Sequence, residues 1–202
     1  LEEGDPFPAD EGIPVFAYQQ ADAEFYGFEL EANYLALDSS DFSLSFDGQM
    51  DLTRASTTED TTFSGIDTVN SEFTPLAGNG IAVAAGDLPF IPPMRILGGV
   101  DLDYKPWNSR LRFEVQYVAE QDRVGEEPEG SEVEIPGTFP TDSYTLVNLY
   151  LVSAPFRSAE NLTFSLTARN LTDEFARSAT SFLSQSAPLP GRDIRFGINL
   201  TF

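Results

Sequence analysis

The sequence contains no cysteine and no histidine. These absences exclude thiol nucleophiles, imidazole bases, disulfide bridges and zinc sites built from Cys and His ligands. Basic residues are also scarce, because 11 Lys and Arg stand against 33 Asp and Glu, for a formal net charge of -22. Such a chain repels polyanions, and we therefore expect no nucleic acid among its partners.

Long apolar runs are missing as well. A membrane-spanning helix needs roughly 18 consecutive apolar residues, and no stretch of the sequence reaches that length. A transmembrane β-strand needs only about 9 to 11 residues and alternates polar with apolar ones, so a membrane barrel stays open. The chain also begins at Leu1 without an initiator Met or a leader, and we expect a leader or an N-terminal part to lie outside it.

Alternation of apolar and polar residues with a period of two is the dominant signal. It recurs over stretches longer than a typical globular strand, and it predicts seven antiparallel strands. These cover 24–34, 41–52, 94–104, 111–120, 144–152, 162–169 and 193–202. The stretch 144–152 is apolar on both faces, so the alternation leaves its outward side open.

The connections between the predicted strands alternate in length. Short ones cover 38–40, 105–109 and 154–160, and long ones cover about 54–92, 121–142 and 173–191. Outer-membrane barrels likewise combine short periplasmic turns with long extracellular loops, and place aromatic girdles at both membrane interfaces. The aromatic residues beside the short turns and at the C-terminus are Tyr34, Phe42, Tyr104, Trp107, Phe156 and Phe202.

The fold predicted from these patterns is all-β, the C-terminal portion of an antiparallel transmembrane β-barrel. A single-chain bacterial barrel has an even number of strands, and an open edge in lipid would leave backbone groups unsatisfied. We therefore expect the remaining strands to come from residues outside 1–202 or from another chain. A soluble β-sandwich is the alternative, although it has no reason to separate long from short connections in this way.

Charged residues on the polar faces of the strands are the candidate functional residues. A water-filled or plugged lumen tolerates them where lipid does not, so we expect them to hold a plug by ion pairs and hydrogen bonds. The candidates are Glu29, Glu31, Asp47, Arg95, Asp101, Asp103, Arg112, Glu114, Arg169 and Arg195. No organised catalytic site, metal site or cofactor site is visible in the sequence.

Four phrases resemble the C-terminal end of TonB-dependent outer-membrane receptors. They are the strand phrase at 23–31, the phrase at 88–95, the segment 161–177 with its Asn170-Leu171-Thr172-Asp173 box, and the ending at 188–192 followed by a strand to Phe202. The resemblance implies a barrel of about 22 strands, with an N-terminal plug domain inside it and energy supplied through TonB. The phrases near 91–93 and 181–192 resemble a branch that contains zinc-uptake receptors, although the His residues expected there are absent.

The function implied by the resemblance is active import across the bacterial outer membrane, and not enzymatic activity. The cargo would be a scarce nutrient, such as a metal chelate, metal ion, vitamin or saccharide. The implied partners are the rest of the barrel and its plug, outer-membrane lipid and lipopolysaccharide, and the TonB complex through the N-terminal region. The barrel-assembly machinery would read the C-terminal strand, with Phe202 as part of the signal. The alternative is a secreted soluble β-sandwich that acts as a binding module or adhesin without transport.

Overall fold

A computed structural model describes residues 22–58, 61–67, 74–83, 86–88, 90–124, 139–156, 162–181 and 183–201. The strands are β1 Ala23–Asp38, β2 Phe42–Thr57, β3 Thr61–Asp67, β4 Thr74–Val83, β5 Arg95–Tyr104, β6 Ser109–Val118, β7 Tyr144–Ser153, β8 Leu162–Arg169 and β9 Asp193–Leu200. Seven of them form one antiparallel sheet in the order β1-β2-β5-β6-β7-β8-β9, and β3 and β4 form a second, two-stranded sheet. The predicted all-β, seven-stranded antiparallel architecture is confirmed.

Tight turns join the strands at one end of the large sheet. Between β1 and β2, the Ser39 hydroxyl accepts a hydrogen bond from the Phe42 backbone N–H at 3.1 Å. Between β5 and β6, a 3-10 turn at Lys105–Trp107 carries Pro at its start and ends at Asn108 in the left-handed conformation, φ 43°. Pro, Ser and Asn stabilise such turns. The long connections therefore emerge at the opposite end, which we call the long-connection end.

One face of the large sheet is apolar from strand to strand. The register places Phe46 opposite Val100, Val100 opposite Phe113, and Phe113 opposite Leu149. The same row continues through Ala168 to Ile194. Directly paired residues share a face, and residues i and i+2 of a strand do too. Large apolar side chains on this face are exposed, with Phe113 at 41% and Ile194 at 60%.

The register also settles which side of β7 faces outward. Thr145, Val147 and Leu149 pair with Tyr117, Val115 and Phe113 of β6, so they lie on the apolar face. The opposite face of β7 carries Tyr144, Leu146, Asn148, Tyr150 and Val152. Apolar Leu146 and Val152 on this second face explain why the sequence pattern was ambiguous there.

The long connection expected over 54–92 contains more regular structure than predicted. β2 continues to Thr57, and β3 and β4 pair as an antiparallel hairpin whose register shifts between Phe63 and Gly65. The sequence of these strands includes Thr, Ile and Val, which favour strands, but glycines and the register shift interrupt a simple alternation. A search for membrane-type alternation therefore missed this hairpin.

β1 and β2 are each 16 residues long, whereas about 9 to 11 residues cross a bilayer. The pairing of Ala23 with Thr57 puts one end of this long hairpin at the long-connection end. Among the residues that the structure describes, no helix is both long and apolar enough for a membrane span.

The two faces predict opposite responses at neighbouring positions of β6. Val115 lies on the apolar face and Gln116 on the other. For the predicted transmembrane barrel in lipid, Val115→Arg is expected to lower the free energy of unfolding by about 2 to 4 kcal/mol, because lipid solvates a guanidinium poorly. Ile198→Arg, on the apolar face of β9, should behave alike. Gln116→Arg is the matched control and should be mild. Denaturant unfolding in lipid vesicles measures the three costs, and equal costs at 115 and 116 would contradict the face assignment.

Candidate functional site

The ten candidate residues all lie on the face opposite the apolar one, which we call the polar face. Glu29 pairs with Asp51 and Asp51 with Arg95, while Asp101 pairs with Arg112. The remaining candidates lie on the same face. Each is an even number of positions along a strand from a residue of that face, or is paired with one in the neighbouring strand. They are Glu31, Asp47, Asp103, Glu114, Arg169 and Arg195.

Arg112 of β6 brings three carboxylates together at the centre of the polar face. Its Nη1 donates hydrogen bonds to Asp47 Oδ1 and Asp101 Oδ2, both at 2.6 Å, and its Nη2 donates to Asp47 Oδ2 at 3.0 Å. Its Nε donates to Glu114 Oε2 at 3.3 Å. The guanidinium is only 25% exposed, so these pairs are less screened than surface ones. One cation therefore ties β2, β5 and β6 together, and the cluster keeps a net negative charge.

Gly99 lies beneath the contact between Arg112 and Asp47, which spans two strands. It lies on β5 between Asp47 of β2 and Glu114 of β6. A Cβ at this position would lie 2.5 Å from both Arg112 Nη2 and Asp47 Oδ1. With glycine at this position, the Arg112 side chain crosses β5 and reaches a carboxylate two strands away, whereas a Cβ would force the ends of the Arg112 and Asp47 side chains to shift. Nothing in the alternation of the sequence marks Gly99, so the pattern predicts no role for it.

The hydrogen-bonded network continues from this cluster into β7 and β8. Glu114 Oε1 accepts a hydrogen bond from Asn148 Nδ2 at 3.0 Å, and Asn148 Oδ1 accepts one from the Asn170 backbone N–H at 3.0 Å. Both asparagines are buried, at 8% and 3% exposed. Asn148 is not among the predicted residues, because the alternation leaves the faces of β7 unassigned.

Asn170 organises the start of the β8–β9 connection. Its backbone is left-handed, with φ 48°, a conformation that Asn tolerates better than most residues. Its Oδ1 accepts from the Glu174 backbone N–H at 2.8 Å, and its Nδ2 donates to the carbonyls of Glu174 and Pro190 at 2.9 and 3.2 Å. Asp173 Oδ1 accepts from the Arg192 backbone N–H at 2.9 Å. The Asn170-Leu171-Thr172-Asp173 box thus joins the two ends of this connection.

The other candidates form separate, more exposed pairs or none. Arg95 bonds to Asp51 at 2.9 Å near the long-connection end, Arg110 to Asp103 at 2.8 Å near the turns, and Arg195 to Asp193 at 2.8 Å. Exposed pairs of this kind contribute little to stability, roughly 0 to 1 kcal/mol. Neither Glu29 nor Arg169 forms an ion pair within the described ranges. Phe202 lies outside the described residues.

Cavities open on the polar face of the described residues. One of about 690 Å³ lies near the turns and is lined in part by Asp103, Lys105 and Arg110. Another, of about 140 Å³, lies towards the long-connection end beside Asp51 and Arg95. In the part of the chain that the structure describes, no group of three or more His, Cys, Asp or Glu residues is arranged to hold a metal ion.

Residues 3–171 match the family model described as TonB dependent receptor-like, beta-barrel. The chain belongs to this family of TonB-dependent receptors. Members of the family are outer-membrane β-barrels, and the family implies a plug inside the barrel and an interaction with TonB. The resemblance stated from the sequence is therefore confirmed at the level of the family. No finding tests the closer resemblance to zinc-uptake receptors, which stays a prediction.

Two solved structures are similar to this chain. The copper transporter OprC shares 15% identity at a TM-score of 0.46. The FrpB iron transporter from Neisseria meningitidis (F3-3 variant) shares 12% identity at a TM-score of 0.47. Each alignment covers 89% of this chain and 31% of the other, so the chain spans about a third of their length. No curated protein gives a significant match.

Two adjacent glycines of β5 allow a matched test of the Arg112 cluster. Gly99→Ala is expected to displace the Arg112 side chain from Asp47 and to lower the free energy of unfolding by about 1 kcal/mol, since the pair is partly exposed. Gly98→Ala should cost less, because its Cβ would meet nothing closer than 4.0 Å. Denaturant unfolding of the full-length receptor measures both costs.

A double-mutant cycle separates this mechanism from a backbone effect. In an Asp47→Asn background the contact is already weakened, so Gly99→Ala should cost less than it does in the parent. Additive costs of the two substitutions would show that Gly99 acts independently of the ion pair.

Proposed function

We propose that the protein is an outer-membrane active-transport receptor, which binds a scarce nutrient outside the cell and imports it with energy supplied through TonB. One observation carries the proposal: a member of this receptor family has an uncovered apolar face opposite a polar face crossed by a charged network. Lipid fits the first face and an aqueous or plugged lumen fits the second. Residues 1–202 would then be the C-terminal part of the barrel, seven strands of about 22.

The apolar face supports a membrane environment over a soluble sandwich. Phe28 is 50% exposed, Leu30 61%, Phe196 67% and Ile198 61%, and contiguous exposed apolar surface on this scale is rare in soluble monomers. In the described residues, the strands that contact each other extensively are neighbours within the same sheet. A sandwich would need a second sheet packed face to face on this one.

The polar face supports the partners proposed for the lumen. Its central cluster combines three carboxylates with one guanidinium, so a plug segment with basic or hydrogen-bond donor groups would find complementary charge there. The plug, the remaining strands and the TonB-contacting region would come from residues outside 1–202. Lipid and lipopolysaccharide would contact the apolar face and its rim, and the long connections would lie on the extracellular side.

The proposed activity is transport and not catalysis. The described polar groups of the network bond to one another, and no nucleophile lies beside a general base there, as a hydrolytic site would require. The proposed cargo is a metal chelate, metal ion, vitamin or saccharide.

Energy-dependent uptake tests the proposal directly. Cells that express the full-length receptor would be offered a labelled panel of a ferric chelate, zinc chloride, cobalamin and a maltodextrin. At least one compound is expected to accumulate, and this accumulation should disappear when tonB is deleted. Accumulation that is the same with and without TonB, or no accumulation of any compound, would overturn the proposal. A receptor that stays monodisperse in buffer without detergent would instead favour the soluble binding module or adhesin.

The C-terminal residue gives a separate test of membrane assembly. The last strand must close the barrel against the first, and we propose that Phe202 is part of the signal read by the barrel-assembly machinery. Deleting Phe202 is expected to lower the amount of assembled receptor while leaving ligand affinity in the assembled molecules unchanged. Heat resistance on a semi-native gel reports assembly, and titration on cells reports affinity. Normal assembly after the deletion would reduce Phe202 to a girdle aromatic.

A further inference from the structure

A cavity of about 280 Å³ lies at the long-connection end, away from the polar-face network. Phe175 and Arg177, from the β8–β9 connection, form one wall. Pro140, Thr141 and Asp142, from the segment that precedes β7, form the other. Two connections that are far apart in sequence therefore meet here around a concave surface.

Phe175 is held out to solvent between fixed neighbours. Its side chain is 68% exposed, although a free segment would favour turning so large an apolar ring inward. The preceding residue, Glu174, is bound through both its backbone N–H and its carbonyl by the Asn170 side chain. The following residue, Ala176, is 2% exposed and accepts a hydrogen bond from the Leu189 N–H at 2.8 Å. The backbone that carries the exposed ring is thus held on both sides of Phe175.

A buried amide fixes the second wall in the same way. The backbone groups of Gln121 and Thr141 bond reciprocally at 2.9 and 3.0 Å. The Gln121 side chain is buried and donates from its Nε2 to the Ile91 carbonyl at 2.5 Å. Both walls are therefore positioned before any ligand arrives, which lowers the entropy cost of binding.

Arg177 brings to this cavity a guanidinium that forms no ion pair within the described residues. Its guanidinium carbon lies 5.2 Å from the centroid of the Phe175 ring, a cation–π distance. Seven basic residues of the described ranges form ion pairs, namely Arg95, Lys105, Arg110, Arg112, Arg123, Arg192 and Arg195. Arg177 forms none there, in a chain of net charge -22. Its planar N–H donors stay available to an anion.

We propose that this cavity is a ligand subsite for a ring-bearing anion that also carries a hydroxyl or amine donor. Arg177 pairs with the anionic group, the Phe175 ring packs against the ring of the ligand, and the exposed Asp142 carboxylate accepts a hydrogen bond from the donor. The same carboxylate disfavours anions that have no donor to offer. As a site of nutrient capture, the subsite rests on the proposed transport function, but its binding chemistry is measured independently of transport.

Small probes test the proposed chemistry on the full-length receptor in detergent. The probe is 4-hydroxybenzoate, which combines a ring, a carboxylate and a hydroxyl, and the comparison compounds are phenol and acetate. Titration by ligand-observed NMR is expected to show 4-hydroxybenzoate binding at least about tenfold more tightly than either comparison compound. Equal binding of the three probes, or no binding of 4-hydroxybenzoate, would overturn the proposal.

Matched variants then locate the binding. Arg177→Gln and Phe175→Leu should each weaken 4-hydroxybenzoate binding, the first by about tenfold because it removes a charge-assisted hydrogen bond. Arg54→Gln is the control. Arg54 lies on β2, and like Arg177 it makes no ion pair within the described part of the chain. The Arg54→Gln variant should therefore bind 4-hydroxybenzoate as tightly as the parent. An unchanged affinity in Arg177→Gln, or an equal loss in Arg54→Gln, would place the probe elsewhere and overturn the subsite.

The two proposals fail in different ways. Intact 4-hydroxybenzoate binding in a receptor whose uptake does not depend on TonB would contradict the importer and leave the subsite standing. TonB-dependent uptake in a receptor that shows no difference between Arg177→Gln and Arg54→Gln would leave the importer standing and remove the subsite.

Discussion

The period of two residues in an extended strand is the constraint on which the rest of the structure depends. Each strand pairs its backbone N–H and C=O groups with its neighbours, so its side chains are free to face two different environments. In this chain one row of the register is apolar from Phe46 to Ile194, and the next rows carry the carboxylates and guanidinium groups. A register slip of one residue in any strand would exchange the two faces. The pairing register therefore determines which of the two faces each side chain occupies.

On the polar face, the partly exposed Arg112 side chain connects more strands than any other side chain described above. Arg112 touches carboxylates on three strands, and Glu114 passes the network on through Asn148 to Asn170. Asn170 in turn holds the β8–β9 connection. The wall of the sheet and the segment that presents Phe175 and Arg177 are therefore joined by an unbroken series of hydrogen bonds.

Much of the fold was predictable from the sequence, because alternation and turn chemistry are local signals. The seven strands and the common face of the ten charged candidates follow from the alternation, because residues two apart in a strand share a face. Parity could not show which charges meet. The Asp47–Arg112 contact crosses a whole strand through the missing side chain of Gly99, and it depends on a register that is not written in either segment. Asn148 escaped notice because Leu146 and Val152 mask the polarity of its face, and the β3–β4 hairpin because its alternation is broken.

The space above Gly99 also makes the residues at three positions depend on one another during evolution. A side chain at 99 and a long guanidinium at 112 compete for the same volume, and Asp47 loses its main partner if a side chain at 99 displaces the guanidinium. Drift at any one of these sites is therefore constrained by the identity of the other two. Among related chains, substitutions at 47, 99 and 112 should accordingly arrive together, as a set that exchanges a charged bridge for a packed side chain.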